Sequence, residues 1–401
     1  GLGDVYKRQN VNYIIDAEPE MAGTEADVAY VAGQAYAIRA LCYLNLATWF
    51  SRAPYNSLTG ASRWNEPCVP VYTTGTSIDT GGQPRESLRT VYGRIDQDID
   101  RAIELLEKAR ETTLAENNKS HINLYVALGI KSRACLAEGD WDGAFKAAKR
   151  VIDEGGYAVG TKSDLTGGMN SLDKQNVMWG AGIQVADQAG GYAGFFTHMD
   201  NKEGAYAKSA PKLISKQLYN RISATDIRRD WWDPSDKESP YVSKKFSFAN
   251  VASFLGDYIY MRVEEMYFTA AEAALRLDDL KSARELMNTV MAERDPGYSA
   301  NNRSGTLLGA TTTTWTGSFL ENILTHRRIE LWGEYGRLFD VRRLGQGIDR
   351  RTDDGFSEEC ISMMNRRNVN ITKADTYDWV LTIPKAELDA NPNINEEDQN
   401  P

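Results

Sequence analysis

The sequence predicts a mainly α-helical protein in which about four helical hairpins form a scaffold carrying long loop-rich segments. Three observations carry this reading. Apolar residues recur at spacings of three and four along most of the chain, the period of one helix face. A hairpin near 122–152 repeats at 262–293, with Ala134 matching Ala273, Leu136 matching Leu275, Asp140 matching Asp279, Ala144 matching Ala283 and Val151 matching Val290. Residues 155–260 and 346–401 lose the helical period and carry scattered Gly, Asn, Asp and Trp, as long insertions on a scaffold do when they serve function.

Residues 1–9 (GLGDVYKRQ) have neither the charged-then-apolar order of a signal peptide nor a helical period, and are set aside as an irregular or non-native tail. Residues 10–401 read as one domain, with helices over 10–175 and a loop-rich insertion plus C-terminal hairpins over 176–401. Val31, Ala35, Ile38, Cys42 and Trp49 mark one face of a helix from Val31 to Phe50. Ser87 is a plausible N-cap for the next, whose Leu88, Val91, Ile95, Ile99, Ala102 and Leu106 keep the same spacing. The Pro-rich stretch 51–86 between them is a loop. Ile122–Leu136 is a helix closed by Gly139, and Asp140 caps its return, Trp141 to about Ile152. Arg262–Leu277 and Leu280–Glu293 form the repeated pair, turned at Asp278-Asp279. Leu320–Tyr335 and a short helix from Leu338 make another. The small Ala residues near each crossing give the hairpins a tetratricopeptide character, and four such pairs suffice to stack a continuous core. Short β-like pieces stand at 176–185 and 378–384.

Forty-six basic and 56 acidic residues among 401 give a net charge of −10, against a nucleic-acid surface, which needs cations to displace counterions. No apolar run approaches the roughly 18–20 residues that cross a bilayer. Four Cys and three His, with no C-x-x-C and no H-E-x-x-H, argue against a structural zinc site. Cys42 and Cys135 read as small core residues, while Cys68 and Cys360, in loop-like segments, could pair in an oxidising compartment. Asp353-Asp354-Gly355…Glu358-Glu359 is acidic but lacks EF-hand spacing. No cofactor is expected.

Arg327, Glu330, Glu334 and Arg337 step by three and four along one helix face, which Asp340 and Arg343 extend. Acid–base chemistry by the two glutamates is one reading; an ion-pair network is the preferred one, since opposite charges at these spacings already explain each other. As a hydrolytic pair, Glu264 and Glu265 point apart on a helix, and Asp226 with Asp230 lies in an Arg/Asp-rich run, Thr225 to Asp236, that reads as a solvated or salt-bridged face.

The 9 Trp, 20 Tyr and 11 Phe are more informative. A sugar packs its C–H face on a flat ring while its hydroxyls seek amides and charges. Four places combine the two: Tyr55-Asn56 with Arg63-Trp64-Asn65; Tyr192…Phe195-Phe196…His198…Asp200-Asn201; Trp231-Trp232-Asp233; and Trp315 in a Thr-rich loop. Trp64 and Tyr192 are the expected platforms, with Asn65, Asp200 and Asn201 as hydroxyl partners; Tyr55, Phe196, Trp231 and Trp315 complete the candidate set. Trp49, Trp141, Trp179, Trp332 and Trp379 lie in helix or strand patterns and are expected in the core.

Several of these segments, in order, resemble the SusD/RagB-like outer-membrane lipoproteins of Bacteroidetes. Ala35…Arg39-Ala40…Tyr43…Leu46 resembles the family's "EA…LRA…YF.L"; Val91-Tyr92…Ile95…Asp98…Ala102-Ile103…Leu106 resembles "VY..I..DL..AI..L"; and Gly139-Asp140-Trp141-Asp142…Ala144 resembles its hairpin turn. Arg262…Glu265…Ala271-Glu272-Ala273 is similar to "R.AE…AEA", and Arg327-Arg328-Ile329-Glu330-Leu331…Glu334…Arg337…Asp340…Arg342-Arg343…Gly345 to "ERR.EL..EG.R..DL.RWG". Ile383-Pro384-Lys385…Glu387…Asn391-Pro392 and Gln399-Asn400-Pro401 resemble "IP..E...NP…QNP". His326 stands where the family has Glu, and Met291 and Glu293 replace basic residues. The resemblance covers nearly everything after Asn10. It implies four tetratricopeptide-type hairpins carrying a loop-rich ligand-binding face, non-catalytic capture of oligosaccharides at the cell surface, and delivery to a SusC-like, TonB-dependent transporter in the outer membrane. It also implies a lipid anchor that this chain lacks, and allows a surface calcium ion, with no ligands assigned. A peptide-binding tetratricopeptide scaffold and an all-α glycoside hydrolase are the alternatives.

Overall fold

The computed structural model describes residues 2–77, 79–115, 118–185, 194–348 and 376–401. In chain order the helices and strands are α1 (Leu2–Ala17), α2 (Glu25–Phe50), α3 (Leu88–Lys108), α4 (Leu124–Glu138), α5 (Trp141–Glu154), α6 (Lys162–Thr166), β1 (Val177–Ala181), α7 (Phe195–Met199), α8 (Ala205–Ser209), α9 (Lys216–Tyr219), β2 (Trp232–Asp233), β3 (Val242–Ser243), β4 (Tyr258–Arg262), α10 (Val263–Arg276), α11 (Leu280–Ala292), α12 (Phe319–Glu330), α13 (Arg337–Leu344) and α14 (Lys385–Ala390). The fold is mainly helical, as the periodicity implies. The chain read as one domain divides into two compact units, one of residues 1–147, 338–347 and 371–401, the other of 148–337 and 348–370.

In the first unit, sequence chemistry sets the helix ends. Thr24, Ser87 and Asn123 each accept the backbone N–H three residues on, offsetting unpaired donors of the first turn. Gly139 closes α4 at φ 77°, a left-handed conformation open to glycine, and Asp140 Oδ1 then accepts from Gly143 N at 3.0 Å. Gly33 lets α2 and α3 approach: a Cβ there would lie 2.9 Å from Leu106. Between the same helices Arg39 forks onto Asp98 at 2.7 and 2.8 Å, both side chains buried. Two motif residues, the Arg of one helix and the Asp of the next, thus form one internal ion pair.

That pair corrects the reading of residues 1–9 as an irregular tail. Arg39 Nη1 also donates to Asn12 Oδ1 at 2.9 Å, and Asn12 donates to the carbonyls of Tyr72 and Thr74. Arg8, Val11 and Asn12, spaced by three and one, are the buried stripe of α1, and the Arg8 guanidinium lies 4.6 Å from the centre of the Tyr72 ring. The helix is anchored largely through Asn12 and the Arg8–Tyr72 contact, a pattern that a search for apolar period misses.

The strand expected at 378–384 is also corrected. Tyr377–Trp379 is a 3-10 turn, and the extended residues that follow pair with side chains instead of a strand. Ile383 N donates to Gln399 Oε1 at 2.6 Å, Gln399 Nε2 returns to Ile383 O at 3.0 Å, and Asn400 Nδ2 reaches Leu381 O at 2.8 Å. Leu381 N takes Trp49 O.

The second unit carries the repeated hairpin, α10 and α11, with Asp279 capping α11 through Ser282 N at 3.0 Å. Its sheet is two antiparallel pairs, β1 with β4 and β2 with β3; β1 lies within the β-like piece at 176–185. An aromatic core gathers Phe196, Trp231, Trp232, Phe246 and Phe248 with Ile214, Leu218 and Ile222. Helix α12 stops at Glu330, short of the expected Tyr335: Gly333 turns the backbone at φ 76°, and buried cations take the carbonyls at and after the helix end, Lys245 Nζ donating to Glu330 O at 2.7 Å and Trp332 O at 2.8 Å, and Arg262 Nη2 to Glu330 O at 3.1 Å. Positive charge there also interacts favourably with the negative end of the helix dipole, stabilising the helix end where it stands.

Candidate functional site

The charged stripe is an ion-pair network, but its partners come from other elements. Glu330 accepts from Arg228 at 3.1 Å, from Arg262 at 3.0 Å, and from Arg294 at 2.9 and 3.0 Å. Burial alone would raise its pKa; Arg294, Arg262 and Arg228 outweigh that and hold it well below the usual carboxylate range. Glu334 takes Arg262 at 2.8 Å on both oxygens and also receives Lys245. Arg327 turns to Glu265 and Thr269, and Asp340 and Arg343 pair with each other. His326, at the family's Glu position, accepts from Arg228 at 2.8 Å; burial and the nearby Arg228 and Arg303 hold it neutral, far below its usual pKa. Asp226 is forked by Arg228 at 2.7 and 3.0 Å, while Asp230 lies exposed near Lys162. Carboxylates so committed hold a core together.

The structure sorts the candidate ligand residues sharply. Trp231 and Phe196 are 2% and 1% exposed and sit in the aromatic core. Neither offers a ring to a ligand, which corrects both assignments; the Trp231 indole is consumed by Leu165 O at 2.9 Å. Asp200 is buried and saturated, accepting from Lys202 N, Glu203 N and Phe248 N. Asn201 is likewise spent on Lys212 N and Ser243 O. These two amide and acid groups fasten loop to loop, so the polar half of that candidate is also corrected. Trp315 is half-buried under the Arg221 guanidinium, 4.0 Å from the ring centre. Tyr192, Cys360 and the acidic run 353–359 lie outside the described residues.

The loop after α2 keeps its candidates accessible. Tyr55 bridges Ser62, Asn56 N bonds Ala61 O at 3.0 Å, and Arg63 N bonds Pro54 O at 2.8 Å. Beyond the tip, Arg89 N returns to Trp64 O and Leu88 N to Glu66 O, lacing the loop to the start of α3. Trp64 stands half-buried, edge-on to Tyr92 at 5.7 Å and 83°, with Arg89 at 5.8 Å from its ring. Asn65 beside it is exposed, and Tyr55 is half-buried against the edge of Trp141. Glu66 accepts from Arg52 and has Arg63 at 3.8 Å. Asn56 is not available, since it caps Leu58 N and Thr59 N. The loop thus holds one fixed ring, an open amide and a charged trio, the donor and acceptor set a polyhydroxylated ligand requires.

The tryptophans expected in the core are not fully buried. Trp49 is 38% exposed, and Trp141, Trp179, Trp332 and Trp379 are half-buried. Trp179 meets Tyr260 at 5.0 Å and 67° across β1 and β4, an accessible aromatic corner missed because Trp179 reads as core of a strand; the alternation Tyr258, Tyr260, Arg262 was its signal. His198 and Tyr206, both exposed, stack in parallel at 4.6 Å.

Helical hairpins with long intervening loops place the protein among mainly helical, tetratricopeptide-like scaffolds. The sequence pattern of the SusD family matches residues 200–401, about half of the chain, and the protein belongs to that family. Among solved structures it is similar to a SusD-like carbohydrate binding protein from Bacteroides vulgatus, at 26% identity and a TM-score of 0.76, over 98% of this chain and 82% of that one. A SusD superfamily protein from Bacteroides thetaiotaomicron aligns at 24% identity and a TM-score of 0.77 over 99% and 84%. Surface glycan-binding protein A from Bacteroides uniformis shares the fold at 18% identity and a TM-score of 0.66, over 99% and 83%. No curated protein matches the sequence.

Proposed function

We propose that the protein captures oligosaccharides at the cell surface without breaking a bond and passes them to a partner TonB-dependent transporter in the outer membrane, to which a lipid anchor keeps it close. The relative at 26% identity, described as carbohydrate binding, supports the ligand class. Among the described residues no helix is long and apolar enough to cross a membrane. The observation that carries the reading is the laced loop, with Trp64 fixed edge-on beside exposed Asn65. Stacking on Trp64 and hydrogen bonds to Asn65 and the Arg52–Glu66–Arg63 trio supply shape-selective, individually weak contacts. Tyr192 remains a second candidate platform. Two of the carboxylates weighed as hydrolytic candidates, Asp226 and Glu330, are both paired with Arg228.

Affinity electrophoresis and calorimetry across plant, microbial and host glycans test this. At least one glycan binds, and Trp64→Ala weakens it by about tenfold or more, the order of one aromatic contact with its flanking hydrogen bonds. Binding untouched by both Trp64→Ala and Tyr192→Ala moves the site elsewhere. Failure to bind any glycan overturns the function. Glycan turnover abolished by one carboxylate substitution establishes a hydrolase.

A further inference from the structure

The start of α3 breaks a local rule. Arg89 is the second residue of this helix, and the first turn holds no acidic side chain. A cation there faces the positive end of the helix dipole and costs stability, where Asp or Glu would add to it. A local rule broken without a structural return tends to mark a functional residue. The backbone of the turn is well satisfied: Ser87 accepts from Thr90 N, Leu88 N donates to Glu66 O at 2.8 Å, and Arg89 N donates to Trp64 O at 2.9 Å. The departure therefore lies in the Arg89 side chain alone.

That side chain has no structural return. Arg89 is exposed, and among the described residues its guanidinium makes neither an ion pair nor a hydrogen bond. Its one neighbour of note is Trp64, whose ring centre lies 5.8 Å from the guanidinium carbon, near the outer limit of a cation–ring attraction. Glu66, the only carboxylate of residues 51–66, accepts from Arg52 at 2.9 Å and has Arg63 at 3.8 Å, so it is not the counter-ion of Arg89. Burial, then the like charge of Arg52, lowers the Arg63 pKa against the pull of Glu66, as in a place crowded with cations. Residues 51–90 carry four Arg against one Asp and two Glu, in a molecule whose net charge is −10. The loop and the start of α3 are thus locally basic on an acidic protein.

We infer that Arg89 makes the loop site selective for acidic saccharides. It takes the acid group of the ligand, a uronate carboxylate or a sulfate ester, while Trp64 and the exposed Asn65 take the sugar itself. Arginine suits this role because its planar fork donates two parallel N–H groups to such an anion. The inference rests on the glycan reading of the loop and names the class of glycan.

The test is calorimetry on the purified chain, at one ionic strength, with oligogalacturonate, its uncharged methyl ester, a carrageenan oligosaccharide whose only acid is sulfate, and a neutral malto-oligosaccharide. At least one acidic probe binds about tenfold or more tighter than the neutral ones, the order of one charge-assisted hydrogen bond, and added salt narrows the gap. Preference for oligogalacturonate over its ester assigns a uronate, and preference for carrageenan assigns a sulfate. Arg89→Gln abolishes the preference, while its melting temperature stays the same or rises as a cation leaves the helix N-terminus. Arg89→Lys keeps the charge without the fork and retains part of the preference. Equal affinity for acidic and neutral probes, a preference that survives Arg89→Gln, or a lower melting temperature in Arg89→Gln overturns the inference. Neutral glycans that bind through Trp64 with no preference for acid would leave the glycan reading standing without this one, whereas no binding to any glycan removes both.

Discussion

Glu330 receives four hydrogen bonds from three arginines with no exposure to solvent. Its removal leaves Arg228, Arg262 and Arg294 short of countercharge, so Glu330→Gln costs about 3–5 kcal/mol, read as a lower denaturant midpoint. Trp231 is a second such residue. Truncating it to Ala empties a site packed on Trp232 and Lys245 and costs about 3–5 kcal/mol, with glycan affinity per folded molecule unchanged. That the 327–343 stripe is ionic was legible from its charges, but most of its partners were not, since Arg228, Arg262, Arg294 and Glu265 come from far along the chain. The burial of Trp231 was not, since a Trp-Trp-Asp run in a polar segment resembles an exposed platform. What hides it is long-range: Leu165 O takes its indole and Trp332 packs on its neighbour, neither visible within a local window.

At the scale of elements, the long apolar-faced helices were legible, α1 and the short helices of 155–260 were not, and terminations were legible only in part. Ser87, Asp140 and Asp279 cap where local chemistry says they do, because a cap spans three residues. Helix α12 ends early where Gly333 turns the chain and Lys245 and Arg262, distant in sequence, take the carbonyls. The C-terminal stretch shows the same limit, since Gln399 and Asn400 act on 381–383 as a strand would. Asn400 Nδ2 also bonds Phe50 O at 3.0 Å, and its Oδ1 accepts from Arg85 at 2.9 Å. Asn400→Ala therefore unpairs several buried groups and lowers stability by about 1–3 kcal/mol; hydrogen exchange at Ile383 N, whose partner is Gln399, quickens with it.

For the molecule as a whole, pH acts on both sides. Glu330 and Glu334 have pKa values below their unfolded ones, Arg262 and its neighbours outweighing burial. Their contribution is complete above the unfolded value and is lost as pH falls through the folded one. Glu138 is opposite. Burial first, then the adjacent Asp96, pushes its pKa up to about 9. The folded state then binds the extra proton, and stability declines as pH rises from the unfolded carboxylate value towards 9. Glu138→Gln is expected to raise the melting temperature at pH 8 and leave it unchanged at pH 4; equal shifts at both would contradict the assignment. The helical scaffold of the SusD family was readable from repeat and motif. The ligand loops were readable only as composition, because rings packed in a core and rings held open to solvent share the same residue types.

Lys245 has one more consequence. Burial lowers its pKa to about 8 against the pull of Glu334, which on its own would favour acylation. Yet it is 1% exposed and all its protons are engaged. In a footprinting experiment with an amine-reactive reagent, surface lysines label at once and Lys245 stays silent until the second unit opens. Its appearance in a mass spectrum is a built-in clock for that opening.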